Sequence, residues 1–346
     1  MNDHIKTFLR EYQGPPLRLM EVCGTHTAEI SRSGIPGMLS SRIHLIPGPG
    51  CPVCVTVTDY IDRLFDLSLV PDHVVVTFGD LLRVPGSKGC LNDAKAQGGH
   101  VQMVYSPLDV LSLAKDNPHR IFVFAAVGFE TTTPVYSLLL QRAIQQGITN
   151  IQLLTSLKTM PPVIHWICQN QGQVDGFLAP GHVSVITGSD AFVPLAQKYQ
   201  LPFVVAGFTP DQLLSAIYML VKHQGQGKVW NLYTSAVSPQ GNQQAQEAIC
   251  QFFEPCAASW RGIGTIPQSG FALKQEYEKF DAGSRDLYGD HTLHPLCQCA
   301  HVLIGKVAPQ ECPLFSSQCT PTHPQGACMV SAEGSCYHAY NGRAVK

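Results

Sequence analysis

Charge is scarce in this chain. Lys, Arg, Asp and Glu make up 14% of its 346 residues, against roughly 25% in an ordinary soluble domain. The 23 basic and 25 acidic residues leave a net charge of −2. No lysine- or arginine-rich stripe interrupts that balance, so the electrostatic footprint of a nucleic-acid binder is missing. Long apolar runs are absent too. The longest, Ile121 to Phe129, falls far short of the ~20 residues that span a bilayer, so no membrane association is expected. The opening stretch MNDHIKTFLREYQG is broken by Asp3, Lys6, Arg10 and Glu11 and lacks the apolar centre of a secretory signal. A cytoplasmic location is expected, where thiols are kept reduced and clustered cysteines bind metal or do redox chemistry. No G-x-x-x-x-G-K-[ST] loop and no G-x-G-x-x-G occur, which argues against nucleotide hydrolysis. The lack of a C-x3-C-x2-C triplet argues against radical S-adenosylmethionine chemistry.

Glycine (30), proline (25) and cysteine (13) fill the space that charge leaves. Residues 16 to about 222 alternate short apolar runs with helical patterns. Strands are predicted at Leu17–Val22, Ile43–Ile46, His73–Phe78, Val101–Tyr105, Ile121–Val127, Ile151–Thr155, Gly176–Leu178 and Pro202–Ala206. Helical patterns separate most of them, the signature of parallel sheets covered on both faces. RLMEVCGTHTAEI resembles FVFAAVGFETTTPV, LIPGPGCPVCVT resembles FLAPGHVSVIT, and VVVTFGDLL resembles FVVAGFTPDQLL. These correspondences suggest an internal duplication. The expected fold class is therefore α/β: two related parallel-sheet domains facing a cleft, plus a smaller loop-rich domain. The expected boundaries are 1–14 for an N-terminal helix packed on the body, 15–117 and 118–228 for the two α/β domains, and 229–346 for a cysteine-rich domain.

Three loops at strand ends carry candidate chemistry, where open α/β sheets place their sites. In Glu21-Val-Cys23-Gly-Thr-His26-Thr27, a thiol and an imidazole three residues apart can share one metal or proton. Helix amides behind them are expected to lower the thiol pKa. Gly48-Pro-Gly50-Cys51-Pro-Val-Cys54 reads as a redox dithiol at a helix start, or as half of a zinc site completed by Cys23 and His26. Gly128-Phe-Glu130-Thr131-Thr132-Thr133-Pro134, with Ala179-Pro-Gly181-His182, either caps a helix or forms a rim in which Glu130, Thr131, Thr132 and His182 face the thiols. Phe78-Gly79-Asp80 would add a further polar rim loop.

Six cysteines fall between Cys297 and Cys336, four of them in the pattern Cys299-x12-Cys312-x6-Cys319-x16-Cys336. Prolines and glycines punctuate the run, so it buries little apolar surface and needs a staple. A metal or iron–sulfur centre, disulfides and inert thiols are the alternatives.

Taken together, MEVCGTHT, PGPGCPVCV, TFGDLLRVPG, MVYSPLDVL, GFETTTP, LAPGHVSVI, VVAGF, WRGIGTI and ECPLFSSQCTP…GACMVSAEGSC resemble the HypD family of hydrogenase maturation proteins. The likeness runs in order from about residue 20 to 337, and departs from the family at Ala300-His301, where Gly-Glu is usual. It implies a scaffold for the Fe(CN)2(CO) unit of [NiFe]-hydrogenases, redox-active but not a small-molecule turnover enzyme. It further implies work with a HypC-type chaperone and a HypE-type cyanide donor, serving the hydrogenase large subunit indirectly. By this likeness Cys299, Cys312, Cys319 and Cys336 hold a [4Fe–4S] cluster, and Cys297 and Cys328 do not. Cys51 and Cys54 form the redox pair, and Cys23, with His26, holds the iron that carries CN and CO. The layout resembles ferredoxin:thioredoxin reductase, so a stand-alone thiol–disulfide oxidoreductase is the competing expectation, and a structural zinc protein a third.

Overall fold

A computed structural model describes residues 2–170, 172, 174–291 and 294–342. Met1 and residues 343–346, which belong to the expected terminal segments, lie outside the described residues. All eight expected strands form: β1 (Leu17–Glu21), β2 (Ile43–Pro47), β3 (His73–Thr77), β4 (Val101–Met103), β5 (Ile121–Gly128), β6 (Ile151–Lys158), β7 (Gly176–Ala179) and β8 (Phe203–Val205). Three more follow: β9 (Val229–Asn231), β10 (Phe253–Trp260) and β11 (Gly264–Leu273). They build two sheets, ordered β2-β1-β7-β8-β9 and β10-β11-β6-β5-β3-β4. The first is parallel throughout. The second is parallel except for its β10–β11 hairpin, which joins β6 antiparallel. The continuous apolar run of β5 matches its burial on both faces, and β6 is buried almost throughout although Gln, Thr, Ser and Lys interrupt its apolar residues. Among the described residues no helix is long and apolar enough to cross a membrane.

The sheets do not follow the expected division at 117/118, because each draws strands from both sides of it. Exchanging each of the first eight strands for the one four places away, forward or back, turns the order β2-β1-β7-β8 into β6-β5-β3-β4. The two halves are thus related but intertwined. Topology pairs β1 with β5, as the sequence suggests. It also pairs β2 with β6, β3 with β7 and β4 with β8, which replaces two of the three sequence correspondences. The helices that open YSPLDVLSLA and FTPDQLLSAI follow β4 and β8, consistent with that register.

Nor does the region after 228 stand alone. β9 extends the first sheet and the hairpin extends the second. Pro255 is tolerated because β10 is an edge strand, and the register shifts between Cys256 and Ala258. Near the other end of the chain, the helix Asn2–Arg10 lays Ile5 and Leu9 against Leu213 and Ile217 of the helix Pro210–Lys222.

Because β1 and β2 are parallel neighbours, the loops that leave them emerge side by side. The amide of Gly48 donates to Glu21 O at 2.8 Å and that of Gly24 to Gly50 O at 3.0 Å. A Cβ on Gly50 would stand 2.4 Å from Cys23 N and 2.6 Å from Val22 C, both backbone atoms that cannot swing away. Gly50→Ala should therefore destabilise the protein by about 1–3 kcal/mol, the usual range for overpacking. Gly37→Ala, where a Cβ meets nothing within 4 Å, should stay within about 0.5 kcal/mol. Urea denaturation of both variants checks the contrast, and equal midpoints would refute it.

Candidate thiol and metal site

Cys23 is the N-cap of the helix Gly24–Arg32. The amides of His26 and Thr25 point at its sulfur, yet burial is the larger effect and pushes the thiol up to about 12. The expected lowering is overturned for that reason: helix amides favour the thiolate, but removal from water disfavours it more. Acidic groups add to this. Glu21 accepts from the Cys23 amide at 3.1 Å and from the Thr27 hydroxyl, and burial holds its carboxyl up at about 8. On the other side, a Cβ on Gly24 would meet Glu333 Cβ. Burial raises the Glu333 carboxyl as well, and Thr25 donates to it at 3.4 Å. Asp80, from the loop after β3, accepts from Ser331 at 3.0 Å. The tail is thereby fastened over the Cys23 loop.

His26 serves Cys23 through its amide, whereas its ring is engaged elsewhere. Nε2–H donates to Gly207 O at 3.1 Å, and the ring lies 4.9 Å from Phe208. His182 stacks on the same Phe208 at 3.9 Å. Burial brings His26 down to about 4, so it is neutral, with Nδ1 buried and without a hydrogen-bond partner. That lone pair is its free ligating atom.

Cys51 and Cys54 are joined by a disulfide, with Cα atoms 5.3 Å apart. They sit on a turn, because the following helix begins only at Thr58. Bonded to each other, the two sulfurs do not form the half-site for zinc. Cys51 is 4% exposed and Cys54 is 0% exposed. The Cys54 sulfur lies 3.9 Å from Ala327 O, next to the segment that carries Cys328. Arg261 ties the same loop to the hairpin: its amide donates to Val55 O at 2.8 Å and Nε to Thr56 O at 2.7 Å.

The tail gathers Cys297, Cys299, Cys312, Cys319, Cys328 and Cys336 around one small cavity, with Phe315 and Met329. Cys328 hydrogen-bonds Cys299 and brings its thiol below the ordinary value against its burial, and the charge of Arg261 helps. Cys328 itself is pushed well above the ordinary value by Cys299 and Cys336. Among the described residues, no three Cys, His, Asp or Glu side chains stand ready-made around a metal ion. The donor set nevertheless fits sulfur-ligated iron. Several soft thiols converge on one apolar cavity, and hard oxygen donors are missing from its lining. The cavity admits Cys297 and Cys328 beside the four cysteines expected from the spacing. Ala300 lies against Gly262, where a Cβ would stand 2.2 Å from Ala300 Cβ and where the φ of +72° disfavours any side chain.

Glu130 lies in the loop after β5, in the other sheet from His182. Its Oε1 accepts from Met160 N at 2.8 Å, and its Oε2 is buried without a hydrogen-bond partner. Thr132 is the N-cap of the next helix but makes no side-chain cap, and Thr131 is half-buried. Thr133 instead donates to Phe129 O at 3.0 Å. His182 stands beside the Cys23 loop, not across from it. Sequence reasoning missed Glu333, Phe208 and Arg261, although GACMVSAEGSC, VVAGF and WRGIGTI flagged the stretches that contain them.

Comparison with known proteins follows the same direction. The family model described as "HypD: Hydrogenase formation hypA family" matches residues 1–343. The chain is 41% identical over 342 residues to the hydrogenase maturation factor HypD1 of Bradyrhizobium diazoefficiens, covering 95% of this chain and 90% of that protein. It is 41% identical over 336 residues to the hydrogenase maturation factor HypD of Escherichia coli, with 95% and 90% covered. The hydrogenase maturation factor HypD of Azotobacter vinelandii is 40% identical over 337 residues, with 93% and 89% covered.

Burial raises the Glu130 carboxyl from 4.5 to about 7. The folded state thus binds this proton more tightly than the unfolded state. Its stabilising contribution is complete below about 4.5 and is lost as pH rises through about 7. Glu130→Gln keeps the acceptor for Met160 N and has no proton to lose. Relative to the wild type, the variant should gain stability between pH 5 and 9, by up to about 3 kcal/mol. Melting temperatures across that range test this, and a constant difference between the two proteins would refute it.

Proposed function

The chain belongs to the HypD family of hydrogenase maturation factors, and from that premise we propose that it is a scaffold for assembling the Fe(CN)2(CO) unit of a [NiFe]-hydrogenase. One observation carries the reading: six cysteines on one cavity, a disulfide and the Cys23 loop follow one another through a continuous body. Cysteines, disulfide and cavity share a single apolar core. In this reading Cys299, Cys312, Cys319 and Cys336 hold a [4Fe–4S] cluster, which when bound supplies electrons one at a time. The Cys51–Cys54 bond breaks on taking up two electrons and two protons, giving two thiols, and re-forms by the reverse. Iron is the cargo. Cys23 releases its proton as iron arrives, because a cation offsets the desolvation that otherwise keeps the thiol neutral. His26 Nδ1 is the neighbouring neutral donor. By the resemblance, a HypC-type chaperone shares the iron, a HypE-type protein supplies cyanide groups, and the hydrogenase large subunit receives the product, all in the cytoplasm.

A general disulfide reductase must let client thiols reach its own sulfur. The near-complete burial of Cys51 and Cys54 disfavours that alternative.

Anaerobic infrared spectroscopy of the protein isolated with its partner tests the proposal, since CN and CO stretches lie where proteins are silent. The wild type should show both. Cys23→Ala should lose them while keeping about four iron and four sulfide per chain, and His26→Ala should weaken iron retention ~10–100-fold. Full diatomic bands in Cys23→Ala would move the iron elsewhere. Cys319→Ala should bleach the tail, whereas Cys328→Ala should not. Thiol trapping over a range of redox buffers should give a two-electron transition that either Cys51→Ala or Cys54→Ala abolishes.

A further inference from the structure

A second cavity, of about 290 Å³, lies away from every thiol discussed so far, between the end of β6 and the β10–β11 hairpin. Lys158 lines it and is 3% exposed. Its ammonium donates to Ser156 Oγ at 3.1 Å and lies 5.7 Å from the centre of the Trp260 ring. An ammonium has three donors, and among the described residues no carboxylate pairs with this one. Burying a cation in this way is costly unless something completes its shell. Burial brings Lys158 down only to about 8, so it remains charged at pH 7. Cys256 stands beside it, and Arg285 lies at the exposed mouth with the carboxylates of Glu254 and Asp286. Tyr60, Leu157 and Phe271 give the walls an apolar part, with the hydroxyls of Thr155, Ser259 and Ser284 among them.

We infer that this cavity binds a small organic anion, its apolar body against the walls and its carboxylate on the Lys158 ammonium. A buried cation and a set of hydroxyls beside an apolar wall can orient the polar end of a small molecule while its body is buried. The volume suits a ligand of roughly ten non-hydrogen atoms, as judged from the lower end of the pocket range. A bare inorganic ion would leave the apolar walls unused. The inference is independent of the maturation chemistry, because none of the cluster, dithiol or Cys23 residues lines this cavity.

Benzoate is the probe, benzamide its neutral isostere and inorganic phosphate the control for charge alone. Titrated at pH 7 into the full-length protein purified anaerobically, benzoate should bind saturably, with benzamide and phosphate at least ~10-fold weaker. Lys158→Met should weaken benzoate ~10–100-fold, the effect of losing a charge-assisted hydrogen bond, and leave benzamide unchanged. If that variant does not fold, two further measurements decide. Arg285→Gln at the exposed mouth should weaken benzoate by a smaller factor, and benzoate but not benzamide should slow alkylation of Cys256, read on its peptide by mass spectrometry. Absence of saturation, equal binding of phosphate, or unchanged benzoate binding in Lys158→Met would each overturn the inference. So would full Cys256 reactivity at saturating benzoate.

Discussion

The close approach of two backbones at the ends of β1 and β2 sets the geometry of everything near them. Parallel neighbours deliver their loops to the same edge of a sheet, and here glycine allows those loops to touch: Gly24 N–H reaches Gly50 O, and Gly50 has no side chain to hold Cys23 away. A side chain at Gly50 would separate the Cys23 loop from the dithiol turn, and one at Gly24 would push away Glu333 of the tail. The tail then closes on both, with Glu333 packed against Gly24 and Ala327 against Cys54. Val302, Leu303, Leu314 and Met329 of the tail are buried in the same apolar core as the dithiol turn.

Desolvation, more than any pairing of charges, governs the titrating groups of this region. It raises Cys23, Glu21 and Glu130 and lowers His26. Each shift favours the neutral form. A site built this way holds little charge, and a bound cation would change the balance for every group around it. Neutral thiol and neutral imidazole are the resting forms that can each offer a lone pair to a metal once the thiol proton has gone. Burial keeps Cys23 protonated, and Cys51 and Cys54 are buried as well.

Much of this was legible in the sequence. Short apolar runs bounded by glycine and proline located the eight strands from β1 to β8, and two-residue spacing located the disulfide. What escaped depended on non-local packing. The exchange of strands between halves leaves no local mark, since each strand reads alike whichever sheet it joins. β10 and β11 contain Pro255 and Pro267, which speak against strands unless an edge position or an irregularity accommodates them. His26 was visible as a candidate, but its acceptor, Gly207 O, lies 181 residues away. The direction of the Cys23 shift could not be read from a helix N-terminus alone, because burial by a distant tail decides it. Spacing also divided six cysteines into four and two, while the fold brings all six to one cavity.

Arg261 shows how the parts are made to depend on one another. It leaves the end of β10 next to Trp260, and its backbone and side chain both bind the strand-to-helix loop that contains the disulfide. Its guanidinium is nearly buried, with Asp290 at 3.8 Å, and its field favours the thiolate of Cys299. Nη2 is buried without a hydrogen-bond partner. A planar, permanently charged group suits this position, because lysine would offer neither the fixed fork nor the weak hydration that burial requires. One side chain therefore links the hairpin, the dithiol turn and the cysteine cavity. In the proposed reading, its positive charge would be the counterweight to sulfurs that become anionic on holding metal.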